Sequence, residues 1–181
     1  NMKQSIINSN INSNNNNTSN ITINNYGNED MSFIKNRKNT NSLFIKNILK
    51  QGFKGLQKYI HHKYCNPRSE SNLTIKYTNK RHKDIFIRNN NKWVTKNKNE
   101  IMDEIYNWDT NVEEVLNIYE HMFDISDEQN MDLLQKNFIN DIESVYEDKD
   151  LEHLDKAKRN TLNQIYDCYV NNKELYDIIL Q

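Results

Sequence analysis

Four side chains able to bind a metal or move a proton lie near one another in the sequence: His61, His62, Cys65 and His82. A His-His-x-x-Cys run followed by a histidine after 16 intervening residues matches no established zinc-ligand spacing. Neighbouring positions on an α-helix point about 100° apart, so His61 and His62 do not converge on one ion and are expected on an exposed basic surface. Carboxylates are plentiful after residue 101. Asp148-Lys149-Asp150 and Asp124 with Asp127-Glu128, however, lack the glycine and ordered ligand ladder of a calcium loop. They are expected on solvated helix faces. Gly27, Gly52 and Gly55 are the only glycines, too few and too scattered for a phosphate-cradling loop, and no serine or cysteine sits in a nucleophile motif. The expectation is a protein that is not an enzyme and that uses no cofactor and no metal.

Binding chemistry is better represented. Lys76, Lys80, Arg81, Lys83, Arg88, Lys92, Lys96 and Lys98 fall on, between and just after strand-like runs that also carry Tyr77, Phe86 and Trp93. Cations along a sheet with interleaved aromatics suit phosphate neutralisation combined with base stacking. The competing expectation is that the aromatics form the core of a small sheet, Trp93 above all, and that the lysines keep it hydrated. The candidate contact residues for nucleic acid or an acidic partner are Lys76, Lys80, Arg81, Lys83, Arg88, Lys92, Tyr77 and Phe86.

The net charge of −1 conceals a separation of charge along the chain. Residues 31–100 hold 17 Lys and Arg against three acids, whereas residues 101–181 hold 20 Asp and Glu against six bases. Asymmetry of this size points to a nucleic-acid, membrane-surface or acidic-protein partner, or to two halves that neutralise one another. No run approaches the about 20 apolar residues of a membrane span, and no signal peptide is visible. Cys65 and Cys168 are too few and too distant in sequence to imply a disulfide framework, so a reduced intracellular setting is expected. Asparagine occupies 34 of 181 positions, a bias shared with Ile and Lys that fits AT-rich codons, so single asparagines carry little weight. Asn-x-Thr/Ser matches at Asn16, Asn17, Asn20 and Asn72 are accordingly read as chance. Asn1 in place of an initiating methionine is expected of a piece of something longer.

The elements that would position these groups follow from periodicity. Residues 1–20 are polar and of low complexity, a flexible linker. Together with 21–30 they form an arm, in which Ile21 and Ile23 suggest a short docking strand or extended docking segment at 21–26. Residues 41–64 carry one apolar helical face, with Gly52 and Gly55 marking a bend or a close backbone approach, and the helix stops before Asn66-Pro67. Strands follow at 73–77, 84–88 and 92–95, expected as an antiparallel meander packed on that helix. Asn97…Glu100, Thr110…Glu113 and Ser126…Gln129 resemble capping boxes and place helix starts just after 97, 110 and 126. A last helix runs from Leu151 to Ile179. Lys158, Thr161 and Asn172 interrupt its seam, which favours a bundle helix with these three at the rim over a zipper. The expected architecture is α+β: a basic module at 41–96 with a helix and a small antiparallel sheet, then an acidic helical bundle at 97–181.

Three segments carry a resemblance: ITINNYGNED (Ile21 to Asp30), GFKGLQKYIHHKYCNP (Gly52 to Pro67) and KWVTKNKNEIMDEI (Lys92 to Ile105). Over roughly 20–105 the chain resembles an uncharacterised Asn-, Ile- and Lys-rich family of giant viruses that infect amoebae, in which a Cys2His2-type finger often precedes an Asn-rich spacer. No such finger is present here, so its zinc ligands map to no residue of this chain, and the acidic helices beyond 110 have no counterpart. The resemblance implies a viral protein located in the cytoplasm of an infected cell or in the virion, and it implies no activity. The leading expectation is a non-enzymatic interaction or adaptor module that binds other proteins through its oppositely charged halves. The alternative is a nucleic-acid-binding protein that uses the basic sheet. Self-association through 151–179 is a further expectation, and no membrane partner is expected.

Overall fold

The computed structural model describes residues 23–35, 39–124, 132–148 and 151–178. The expected linker at 1–20, the first two residues of the docking segment and the Ser126…Gln129 box lie outside these residues. The order of elements is α1 (Ser32–Lys35), α2 (Asn39–Lys50), α3 (Gly52–Tyr64), β1 (Ile75–Lys76), β2 (Asp84–Asn89), β3 (Lys92–Asn97), α4 (Lys98–Ile105), α5 (Glu113–Phe123), α6 (Leu133–Tyr146), α7 (Glu152–Asn171) and α8 (Lys173–Ile178). A short 3-10 turn at Glu70–Asn72 precedes the sheet, and a π-turn at Trp108–Val112 leads into α5. The protein is α+β, as the sequence indicates.

The expected single helix over 41–64 is two helices, because Gly52 takes a left-handed φ of +55° and turns the chain between α2 and α3. A side chain at Gly52 would strike the Asp141 carboxylate of α6, which accepts a hydrogen bond from the Phe53 N–H at 2.7 Å. An acceptor at that place satisfies an orphan donor of the first turn and sits favourably in the helix dipole. Gly55 meets the other expectation: a Cβ there would lie 1.9 Å from the Ile48 carbonyl oxygen, so only glycine lets α2 and α3 approach so closely. The result is a central α3 that buries Phe53, Leu56, Tyr59, Ile60 and Tyr64 against α2, α6 and α7.

The strands pair antiparallel in the order β1-β2-β3, with Ile75 opposite Ile87 and Ile87 opposite Val94. Asn90 and Asn91 close the β2–β3 hairpin, both with positive φ, as a two-residue turn of the primed type requires. The helix laid along β1 is α7, not the preceding α3 as expected. Tyr166 of α7 meets Tyr77 edge-on at 6.4 Å between ring centres. The buried face of α3 is taken by α2, α6 and α7, and β1 is covered by α7 from the acidic part of the chain. One hydrophobic core runs through both stretches, from Met31 and Leu56 through Ile85 to Phe138 and Ile165.

Helix boundaries after the sheet obey side-chain chemistry more than spacing. Asn97 caps α4 through the Asn99 N–H, as expected. Thr110 caps nothing; its hydroxyl donates to the Glu104 and Asn107 carbonyls, while Asn107 caps the π-turn that precedes α5. Asp132 and Gln135 form a reciprocal capping box at the start of α6. The expected continuous helix after Leu151 breaks at Asn172, whose side chain donates to the Cys168 carbonyl at 2.9 Å. Thr161 is buried instead of at the rim, bonded to the Tyr106 hydroxyl at 2.8 Å. With Ala157, Ile165 and Cys168 it turns the seam of α7 toward the protein's own core. Among the described residues no helix is long and apolar enough to cross a membrane.

Candidate functional site: an acidic cleft above a buried ion pair

The segment 23–31 is a belt. It forms no strand, but the Asn24 N–H bonds to the Ser71 carbonyl and the Tyr26 N–H to the Arg88 carbonyl, so it docks beside the sheet as an extended segment. Asn72 holds it in place: its side-chain oxygen accepts from the Asp30 N–H and from Asn24, and its amide donates to the Asp30 carbonyl at 2.8 Å. Both polar groups of one backbone residue are thus satisfied by one buried side chain. The Asn-x-Thr match at Asn72 is sealed inside the protein.

This belt brings Tyr26 and Glu29 against the last turn of α3. Glu29, whose side chain has no exposed surface, accepts from the Thr74 hydroxyl at 2.6 Å and from the Gly27 N–H at 3.1 Å. The Lys63 ammonium lies 2.6 Å from Glu114, 3.1 Å from the Asn111 side-chain oxygen and 3.8 Å from Glu29. Asn111 in turn donates to the Ile105 carbonyl, which fixes the orientation of its amide. Burial pushes the Glu29 carboxyl above its ordinary range, against the opposing pull of the Thr74 hydroxyl and of Lys63. Burial, with the nearby Glu104 and Glu29 charges, pushes the Tyr26 hydroxyl far up, so it is a neutral donor at physiological pH.

Above this network opens a cleft of about 900 Å³. Tyr26 and Tyr64 form one wall, their ring centres 6.1 Å apart. Glu104 comes from the end of α4, Asp109 from the π-turn, and Glu113 and Glu114 from α5. Asn107, Thr110 and Asn117 add polar groups, and Lys63 and His121 are its basic lining residues. Lys63 is already engaged by Glu114 and Glu29, so its charge is matched from within the protein. Carboxylates beside aromatic faces suit a cationic ligand, through Coulomb attraction and through the ring quadrupole. Thr110 and Glu113 stood out in the sequence only as a helix-cap pair, and no motif or spacing pointed to a cleft. Its residues come from separate stretches, of which Tyr26 and Gly27, Lys63 and Tyr64, and Glu104 fall in the three segments that carry the resemblance.

The fold gathers Lys76 and Arg88 at the Trp93 ring and turns Tyr77 inward, while other basic candidates stay on the surface. Tyr77 is buried, its hydroxyl donating to the backbone at Lys80 and His82 and accepting from Lys98. Arg88 is buried, with its guanidinium over the Trp93 ring, and Trp93 rests against Tyr176 of α8. Lys76 lies 4.5 Å from the Trp93 centroid and 5.5 Å from that of half-buried Phe86. Lys80 sits over Tyr166 and pairs with Asp167 of α7 at 3.4 Å. Arg81, Lys83 and Lys92 are exposed, as is Lys96. His62 packs on Phe44 at 4.9 Å between ring centres, Cys65 faces Cys168 inside the protein, and His61 and His82 are exposed. Among the described residues no group of three His, Cys, Asp or Glu side chains is placed to hold a metal ion. No family model, no curated protein and no solved structure matches this chain.

Proposed function

We propose that the protein is a non-catalytic interaction module, an adaptor, whose cleft takes a lysine- or arginine-rich segment of a protein partner. The observation that supports it is the cleft itself: a concavity walled by Tyr26 and Tyr64 and bordered by Glu104, Asp109, Glu113 and Glu114. Its basic lysine is withdrawn into pairing with Glu114 and Glu29, so the field offered to a ligand is negative. An arginine or lysine side chain laid against the half-buried Tyr26 ring would gain both ring contact and carboxylate partners. Within the same proposal, the resemblance to proteins of amoeba-infecting giant viruses supports an infected cell or virion as the setting of this adaptor.

The test is titration of a fluorescent oligo-arginine peptide into the protein as salt is raised. Binding that weakens with salt, and that weakens at least about tenfold in a Glu104→Lys/Asp109→Lys variant, is expected. Equal binding to that variant would overturn the assignment to this cleft, and no binding at low salt would overturn the basic-segment reading. A second reading rests on the exposure of Arg81, Lys83, Lys92 and Lys96, which leaves cations available to a nucleic-acid backbone. It requires affinity for short DNA or RNA that falls steeply with salt and is lost in Arg81→Glu/Lys83→Glu/Lys92→Glu.

A further inference from the structure

Cys65 ends α3 and Cys168 lies in the last turn of α7, and the fold brings them face to face. Both are free and buried, and their thiols lie close enough to interact. Around Cys168 the chain adds two further polar partners. The Tyr176 hydroxyl stands 3.5 Å from its sulfur and the Asn172 amide 3.9 Å. Both are there because α7 stops at Asn172 and α8 folds back across its end. A sulfur surrounded by donors is one prepared to carry negative charge.

We propose that Cys65 and Cys168 are a dithiol pair that a low-molecular-weight disulfide of the glutathione class converts into an intramolecular disulfide between α3 and α7. The two thiols are unequal, which assigns their roles. The neighbouring Cys65 thiol, with the Tyr176 hydroxyl and the Asn172 amide that stand at the Cys168 sulfur, lowers Cys168 from the ordinary thiol range against the opposing effect of burial. The same contact between the thiols, and burial, push Cys65 up. Cys168 is therefore the attacking thiolate and Cys65 the resolving thiol. In the first step the Cys168 sulfur bonds to one sulfur of the small disulfide, and the other sulfur leaves as a thiolate. That thiolate takes the Cys65 proton. The Cys65 sulfur then attacks the Cys168 sulfur and expels the second small thiolate, which takes up the proton Cys168 gave to solvent. One S–S bond is lost and one is made; two electrons pass from the protein to the small disulfide, which ends as two thiols.

Access is through α8. This helix spans only Lys173–Ile178 and covers Cys168 with Tyr176, so exposing the sulfur takes a local opening in which α8 lifts and Tyr176 leaves its place against Trp93 and Tyr169. The new bond would close a long loop and fix α7, with its cover over β1, to α3.

The experiment is incubation of the full chain with glutathione disulfide near pH 7.5, followed by intact mass and non-reducing peptide mapping. A loss of about 2 Da with a Cys65–Cys168 cross-linked peptide is expected, together with a raised Tm. Cys65→Ser should stop at a glutathione adduct on Cys168, and Cys168→Ser should leave Cys65 at least tenfold less modified. Circular dichroism checks that each variant is folded, and the wild-type mass stands without them. A wild-type chain that stays dithiol while both thiols alkylate in denaturant would overturn the proposal. So would disulfides that form only between chains, or an adduct that forms first on Cys65.

Discussion

Placing Glu29 under the cleft takes a carboxyl out of water, and the protein compensates with the Thr74 hydroxyl, the Gly27 N–H and Lys63. Burial dominates, so its folded pKa lies above the ordinary 4.5. An acid raised on folding binds more protons folded than unfolded, so stability is fullest below 4.5 and is lost as pH rises through the folded pKa. For one proton the slope is at most about 1.4 kcal/mol per pH unit. Glu29→Gln keeps an acceptor for Thr74 and should flatten this fall in urea unfolding measured from pH 4.5 upward. The comparison with wild type is needed because His61 and His62, lowered by burial from 6.5, impose a rise with pH below that value. A slope identical in the two proteins would remove Glu29 as its source. Little of this could be read beforehand: among so many asparagines, Asn72 and Asn111 look like their neighbours, and nothing local marks them as residues that satisfy buried partners.

Elements were more legible than their ends. The hairpin of β2 and β3, its Asn-rich turn and the helix begun by Asn97 follow from alternation, turn chemistry and capping. Thr110 misleads because its hydroxyl has two nearby carbonyls to satisfy, and those bonds outcompete a capping role. The glycine pair was informative because glycine is costly in a helix, and each one here has a geometric reason, a positive φ at Gly52 and a contact with Ile48 at Gly55. Gly55→Ala should therefore behave unlike an ordinary gain in helix propensity. Forcing a methyl against a backbone carbonyl is expected to cost about 3 kcal/mol, which lowers Tm by roughly 6–12 °C for a chain of this size. Calorimetry decides it: an unchanged or raised Tm would mean that the α2–α3 approach is not close-packed.

Across the whole molecule the separation of charge seen in the sequence becomes mutual cover. Lys80 meets Asp167 and Lys63 meets Glu114 across the two stretches, while Lys158 meets Asp103 within the acidic one. The exposed pairs contribute little each, and what joins the two stretches is the shared core. The cleft was illegible for the same reason: its walls come from the belt, α3, α4, the π-turn and α5, a neighbourhood that only long-range packing creates.

The cap on α3 has a consequence in time. Residues 52–64 leave the ribosome well before Asp141, and until that carboxylate arrives the Phe53 N–H lacks its acceptor and the helix lacks α6 and α7 as cover. The amino-terminal part of this protein must therefore wait for the carboxy-terminal part, a burden on a nascent chain whose long-range contacts come late. A chain cut after residue 110 should show only weak helical dichroism and no cooperative melt, whereas mixing it with residues 111–181 should restore both. Independent, cooperative folding of the cut chain would show that the early helices do not need the late ones.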